Sequence, residues 1–487
     1  MNLIGRYAEK SALADFFKSE RPEFLAIYGR RRIGKTFLIK QTFAERDCFF
    51  FNVTGVQKGK TDVQINRFTK EIGKVFYQGA DIKEQNNWIN TFDTLTETIK
   101  KIVPAKKKIV LFFDEFPWMA THKSGLLQAL EHHWNHTWSN DNRIKLIICG
   151  SSASWIINKI INNKGGLHNR ITRKIHLMPF NLKETALLLA HHKINLNHKQ
   201  MIELYMTTGG VPYYLLHTEK NHSAAQMIDK LAFQHDSLLF NEFNNLFSSL
   251  FENSENYIEL LRVISKSHSG IGQEEIISQS NDVSRGGRTV ERLKELEDTG
   301  FIISFMPHLH KKRGKYYRLI DEYTLFYLDW IEPIKNTLQK RSLESGYWLE
   351  KHNSPTWHNW AGYAFESICY KHLHQIRKKL NISKSAVANG WRYVPIAKSK
   401  DKGAQIDLLF DRDDDSITIC EIKYTTELFS ITKDYAGNIK NKISVFKEIT
   451  RTKKQIFFAM ISANGIKDTI YSDDLIEGVV TLEDLFE

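Results

Sequence analysis

Residues 29–36 read Gly-Arg-Arg-Arg-Ile-Gly-Lys-Thr, the G-x-x-x-x-G-K-[ST] spacing of a loop that holds the phosphates of a nucleotide. Gly29 and Gly34 free the backbone to curl, so the amides of Arg30, Arg31, Arg32 and Ile33 can turn toward phosphate oxygens. A helix beginning at Lys35 adds the positive end of its dipole. Lys35 reaches the outer phosphates, and the Thr36 hydroxyl is suited to ligate Mg²⁺. Asp114 and Glu115 follow the apolar run Ile109-Val110-Leu111-Phe112-Phe113. Asp114 is the expected Mg²⁺ partner, and Glu115 the group that orients and deprotonates an attacking water. Ser151, with Ser152 as the alternative, ends a further apolar run and is expected between the metal side and the terminal phosphate.

A second set of chemistry-bearing residues lies near the C-terminal end. Asp407 sits in Ile406-Asp407-Leu408-Leu409-Phe410, and Glu421 and Lys423 in Cys420-Glu421-Ile422-Lys423. Side chains alternate along a strand, so Glu421 and Lys423 share one face. The set fits the D-x(n)-E-x-K pattern of the PD-(D/E)xK nuclease fold, with Ile406 in place of the proline. That likeness implies Asp407 and Glu421 as metal ligands, Glu366 as a third, and Lys423 as the group that positions a nucleophile or stabilises charge. A strand with solvated charges, or a degenerate nuclease fold that only binds, has the same signature. Lys398, Lys400 and Lys402 precede the first of these strands and are either phosphate contacts or an exposed loop.

The elements that must position these groups follow from pattern. Strands that are apolar at every position are buried on both faces, as in a parallel sheet; residues 24–28, 109–113 and, after Lys145, 146–150 have that character. Leucines at three- and four-residue spacing predict helices from Asn181 to Leu250. Residues 257–264 and 271–277 read as helices, and Ser284 could cap a third carrying Val290, Leu293 and Leu296. Residues 301–305 and 316–320 read as hairpin strands around the basic tip Lys311-Lys312-Arg313-Gly314. Three helices and a hairpin make a winged helix. Its third helix bears Arg285, Arg288, Arg292 and Lys294, and either enters a DNA groove or serves as a lid or protein contact. The aromatics Tyr323, Phe326, Tyr327, Trp330, Trp348, Trp357 and Trp360 read as a packed connector rather than a base-stacking platform. Residues 361–369 read as a helix carrying Glu366.

With 487 residues the chain is too long for one core, and about three domains is the natural expectation. Its formal net charge of +12 suits a nucleic-acid partner, and equally a solvated basic surface. No apolar run is long enough to span a membrane. Cys48, Cys149, Cys369 and Cys420 are scattered and read as apolar residues of a reducing cytoplasm.

The chain resembles the prokaryotic ATPases of the AAA+/STAND group, in which an ATPase module precedes a winged helix and a nuclease-like domain. Ile4-Gly5-Arg6-x-x-Glu9 is similar to the family's N-terminal box, and implies that the backbone at Gly5 and Arg6 lies against adenine. Arg170 stands where the family has the arginine of Leu-Tyr-Gly-Arg, although this chain reads Leu-His-Asn-Arg. It is either a catalytic arginine supplied to a neighbouring copy or a surface solubiliser. Gly209-Gly210-Val211-Pro212-Tyr213 resembles the lid segment whose Gly210 and Pro212 would sense nucleotide; a helix stop and turn is the alternative. The resemblance implies an α/β fold: a P-loop NTPase parallel sheet (1–180), a helical lid (181–250), a winged helix (251–322), an aromatic helical connector (323–360) and a restriction-endonuclease-like α/β domain (361–487). It further implies ATP and Mg²⁺ as cofactors, DNA as partner and homo-oligomerisation. The function expected is ATP hydrolysis that positions a nuclease-like domain on DNA. The alternative is an ATP/ADP signalling switch, or a DNA-binding regulator, with a non-catalytic C-terminal domain.

Overall fold

The computed structural model describes residues 3–162, 165–167, 169–234, 236–268, 270–280, 287–306, 314–340, 346–393, 395 and 403–487. Ser284, Arg285, the hairpin tip Lys311-Lys312-Arg313, and Lys398, Lys400 and Lys402 fall outside the described residues, as does His168. The chain forms two compact units, residues 1–178 and 179–487.

The first unit is a parallel sheet covered on both faces. Its strands are β1 (Glu23–Tyr28), β2 (Phe49–Thr54), β3 (Ile109–Asp114), β4 (Ile144–Gly150) and β5 (Arg173–His176), in the order β2-β3-β4-β1-β5. All four pairings are parallel. The apolar runs are continuous because alternate residues serve opposite cores. Phe24, Leu111, Phe113, Leu146 and Ile148 pack with Phe68, Phe92 and Trp134 from helices Thr61–Phe76, Trp88–Ile102 and Leu126–His136. Leu25, Ile27, Val110, Phe112 and Ile147 face the other way, against Leu13, Phe16, Leu38 and Ile39 from helices Tyr7–Lys18 and Lys35–Ala44. The second and third apolar runs of the sequence are thus β3 and β4. Between β1 and β3 in chain order comes β2, whose Phe-Phe-Phe-Asn-Val-Thr composition gave no such run.

The second unit begins with helices Leu182–His191, His198–Thr208, Ala224–Ala232 and Leu238–Leu250. Three helices follow, Ser254–Ser265, Gln273–Gln279 and Gly287–Asp298, with an antiparallel sheet of β6 (Ile271–Gly272), β7 (Ile302–Phe305) and β8 (Tyr316–Leu319) in the order β6-β8-β7. The aromatics of residues 323–360 are buried against one another: Trp330 meets Trp348 edge-on at 5.0 Å and Trp360 at 6.0 Å. Burial answers the question of their use in favour of packing.

The last part is a mixed sheet of β9 (Val387–Tyr393), β10 (Ala404–Asp411), β11 (Ser416–Lys423), β12 (Gln455–Ser462) and β13 (Gly478–Val480), in the order β13-β12-β11-β10-β9. Strands β9, β10 and β11 run antiparallel, and β11, β12 and β13 parallel. Helix Lys433–Thr450 covers one face with Ala436, Ile439 and Phe446, and helix Pro355–Lys371 carries Glu366. Among the described residues no helix is long and apolar enough to cross a membrane. The four cysteines are free thiols, all buried except the half-buried Cys48.

Candidate nucleotide site and C-terminal acidic centre

The phosphate loop leaves the carboxyl end of β1, where β3 and β4 also end, so one edge of the sheet gathers its polar residues. Gly34 takes the left-handed region (φ 91°) that admits few side chains. At Gly29 the limit is space as well: a Cβ there would lie 2.2 Å from the Leu177 carbonyl oxygen. Lys35 is buried and folds its ammonium into the loop, donating to the carbonyls of Gly29 (2.7 Å) and Arg30 (2.8 Å). Arg6 follows Gly5, both left-handed, and its guanidinium donates to the Ile33 carbonyl at 3.1 Å. The N-terminal box is therefore fastened to the phosphate loop by its side chain. Arg31 lies over the Trp118 ring at 5.9 Å, and Arg32 is left-handed (φ 67°).

Thr36, Asp114, Glu115 and Ser151 form a continuous chain of contacts. The Thr36 hydroxyl donates to Asp114 Oδ2 at 2.9 Å, and Thr54 at the end of β2 reaches the same oxygen at 3.4 Å. The Glu115 amide donates to Asp114 Oδ1 at 3.1 Å. Glu115 itself is left-handed (φ 45°), a conformation that costs a non-glycine residue energy and recurs at functional sites. Its Oε2 accepts from the Ser151 hydroxyl (2.7 Å) and amide (3.1 Å). Ser151, not Ser152, is thus the residue that reaches it; Ser152 instead stands at the N-terminal end of the short helix Ala153–Ile156. Thr54 was not marked by the sequence, because β2 itself was not.

Arg170 is exposed in a turn, its amide donating to the Leu167 carbonyl. Gly210 and Pro212 belong to the second unit. There Gly209 caps helix His198–Thr208, and a Cβ on Gly210 would meet the Phe180 carbonyl at 2.0 Å. Phe180 donates its amide to the Gly210 carbonyl, and Pro212 starts the short helix Pro212–Leu215. These contacts account for both glycines as a turn.

In the C-terminal domain Asp407, Glu421, Lys423 and Glu366 converge, together with residues that sequence did not mark. Glu421 is buried; its Oε1 meets Lys423 Nζ at 3.1 Å and accepts from the Tyr435 hydroxyl at 3.0 Å, and its Oε2 meets Lys442 Nζ at 2.6 Å. Burial works against the Glu421 charge, but Lys442 and then Lys423 outweigh it and hold the carboxyl below its ordinary range. Asp407 Oδ2 accepts from the Ile422 amide at 3.2 Å. Burial, then Glu421 and Glu366, push Asp407 up to about 7. Tyr435 and Lys442 are seven residues apart on one helix, two turns on one face; that spacing was the signal available.

Glu366 differs from its expected role. Its Oε2 pairs with Arg318 of β8 at 2.7 Å, and Arg318 is almost wholly buried, lying over the Tyr370 ring at 5.1 Å. Among the described residues no group of three or more His, Cys, Asp or Glu can hold a metal ion. The carboxylates expected as a metal cage are instead met by protein cations and amides. The cations of helix Gly287–Asp298 differ in exposure. Arg288 and Lys294 are exposed, but Arg292 is half-buried over the Tyr257 ring, 6.0 Å away.

With this geometry in hand, comparison with known proteins gives two family matches. Residues 3–218 match the family described as an ATPase domain predominantly from Archaea, and residues 327–437 match one described as archaeal and bacterial proteins of unknown function. Protein MJECL04 of Methanocaldococcus jannaschii is 24% identical over 429 residues, 86% of this chain and 87% of that one. A Walker-type ATPase of Pyrococcus abyssi aligns at TM-score 0.46 and 15% identity, covering 67% of this chain and 96% of its own. The ORC2 protein of Aeropyrum pernix, in complexes with ADPNP and ADP, aligns at TM-score 0.44 and 17% identity, covering 70% and 95%. Both scores lie below 0.5, so the assignment rests on the family match and the loop geometry. Residues 3–218 thus match an archaeal-type ATPase domain and hold the phosphate-loop geometry described above, and residues 327–437 of the same chain match the second family.

Proposed function

We propose that this protein hydrolyses ATP to ADP and phosphate and uses the cycle to act on DNA. The observation that carries the reading is the chain of contacts Thr36–Asp114–Glu115–Ser151 beside Lys35. Thr36 and Asp114 share a hydrogen bond, so one hydroxyl and one carboxylate oxygen already converge as hard oxygen donors; they fit Mg²⁺ and would hold it with the nucleotide phosphates. That ion would neutralise charge on the transferring phosphoryl group. Lys35 exchanges its two loop carbonyls for phosphate oxygens, a charge-assisted bond in place of a weaker one. Glu115 takes a proton from the attacking water, and Ser151 holds its carboxylate in one orientation. Arg170, exposed in its turn, is the candidate for a cation supplied to a second copy.

The DNA role is supported by the net charge of +12 and by Arg288 and Lys294, exposed on the third helix of what we read as a winged helix. We read β9–β13 with helix Pro355–Lys371 as the nuclease-like domain. One observation favours the second reading, in which that domain is a non-catalytic platform of an ATP/ADP switch. Glu366 and Glu421 are each held by protein cations, so the residues do not fit a metal cage and we derive no cleavage step.

The test is hydrolysis and nucleotide binding by three forms of the full chain. Lys35→Ala should lose hydrolysis with weakened ATP binding. Glu115→Gln should bind ATP with affinity near the native value yet turn over about 100-fold or more slowly. Native turnover in either variant would end the assignment.

A further inference from the structure

We infer that the cavity between strands β7 and β8 and the β9–β10 edge of the C-terminal sheet takes one unpaired nucleotide of a DNA strand, its base inside and its phosphate at the mouth. The inference rests on the DNA role proposed above and names the form of DNA, a strand with a base free of its stack. The cavity holds about 530 Å³, within the roughly 300–1,000 Å³ of sites that enclose small molecules. One wall is aromatic. Phe305 of β7 and Tyr316 of β8 are half-buried, with ring centroids 6.0 Å apart. Phe305 leans on Gly270, where φ is 94° and a Cβ would stand 2.7 Å from the ring, so a bare backbone sets the place of that ring. Opposite stands Gln405 of β10, half-buried, whose amide offers both a donor and an acceptor to the edge of a base. Rings on one side and an amide on the other suit a flat heterocycle, stacked by its face and met at its edge.

Charge decides which part of the nucleotide enters. Arg318 lines the cavity but is already paired with Glu366 at 2.7 Å. Asp407 and Glu275 also line it, so an anion is not drawn inward, whereas either carboxylate accepts from the exocyclic amine of a base. Arg392 of β9 is the exposed cation of the lining and is placed to meet a phosphate outside. Bases inside a duplex show only their edges in the grooves; their faces become available to protein rings once they leave the stack. A wall of rings therefore selects a base that is already unpaired, for which that cost is least.

The probe is a single strand of about 12 thymidines with one 2-aminopurine at its centre, titrated into the full chain without ATP. Fluorescence of the 2-aminopurine reports stacking and binding together. Native protein should quench it. The double variant Phe305→Leu with Tyr316→Leu, shown to be folded by circular dichroism and melting, should bind the strand about tenfold more weakly and leave the base bright. Its affinity for a blunt duplex, which offers no free base, should equal that of the native chain. Arg392→Met should keep the quenching and lower the salt slope by about one. Undiminished quenching in the folded double variant would overturn the inference, as would equal losses for strand and duplex. Displacement of the strand by an equal concentration of deoxyguanosine monophosphate, which lacks the outer phosphates that Lys35 serves, would assign the cavity to a free nucleotide and overturn the strand. Duplex binding with no binding of the strand would overturn this inference alone; binding of neither would overturn the DNA role with it.

Discussion

At the scale of single residues, the proposed base Glu115 is paired with Ser151. Glu115 sits in a left-handed conformation with both Ser151 donors on one oxygen, so its direction is set by the residue that follows β4. Ser151→Ala should therefore lower kcat by about tenfold while leaving ATP affinity within about threefold, because it acts on the orientation of the base and not on phosphate binding. Steady-state hydrolysis with a separate nucleotide titration checks this; an equal loss in binding would make Ser151 a phosphate contact instead. The same distinction explains what sequence could reveal here. Lys35, Thr36, Asp114, Glu115 and Ser151 were legible because a phosphate loop and strand tips demand those types at those places. Arg318 was not, since its chemistry arises only where a distant strand brings it to Glu366.

At the scale of elements, helix Gly287–Asp298, the third helix of the proposed winged helix, makes a sharp test. Arg288 and Lys294 face solvent, while Arg292 is drawn over Tyr257. Neutralising Arg288 and Lys294 together should weaken duplex binding by roughly tenfold at low salt and lower the salt slope by up to about two. Arg292→Met should leave the slope unchanged and lower the melting temperature. Binding isotherms across a salt series decide it, and an unaltered slope in the double variant would mean that this helix does not meet phosphate. Element legibility followed burial. β1, β3 and β4 serve cores on both faces and so read as unbroken apolar runs. β5 is a four-residue edge strand, Arg-Lys-Ile-His, with one buried residue, and has no such signature. β9 is equally plain: its buried Gly390 and Trp391 sit among exposed and half-buried residues.

At the scale of the molecule, the second unit is joined across long stretches of sequence by His372. Its Nδ1–H donates to the Ile368 carbonyl at 2.8 Å, and its Nε2 accepts from the Leu182 amide at 3.1 Å. The ring is buried and must be neutral to accept, and burial pushes its pKa down to about 4. The folded pKa lies below the unfolded value near 6.5, so between those limits the unfolded chain binds the proton and the folded chain does not. Stability is thus fully present above about 6.5 and falls as pH drops toward 4, by roughly 2–3 kcal/mol from this group. His372→Leu should be less stable than native at pH 7, and should lose less on acidification through this window. Urea unfolding of both forms at several pH values measures the difference; parallel curves would show that His372 is not the sensing group.

The close approach at Gly29 has a mechanical consequence. The first residue of the phosphate loop rests against the carbonyl of Leu177, one residue before the first unit ends at Met178. The Leu177 amide is in turn tied to the Tyr28 carbonyl at 2.8 Å, extending β5 along β1. Loop and exit segment are one stiff assembly, with no room for a methyl group between them. A displacement of the loop large enough to move Gly29 must either push the exit segment or part from it. The doorway through which the chain leaves the nucleotide domain is hung on the loop that grips the phosphates.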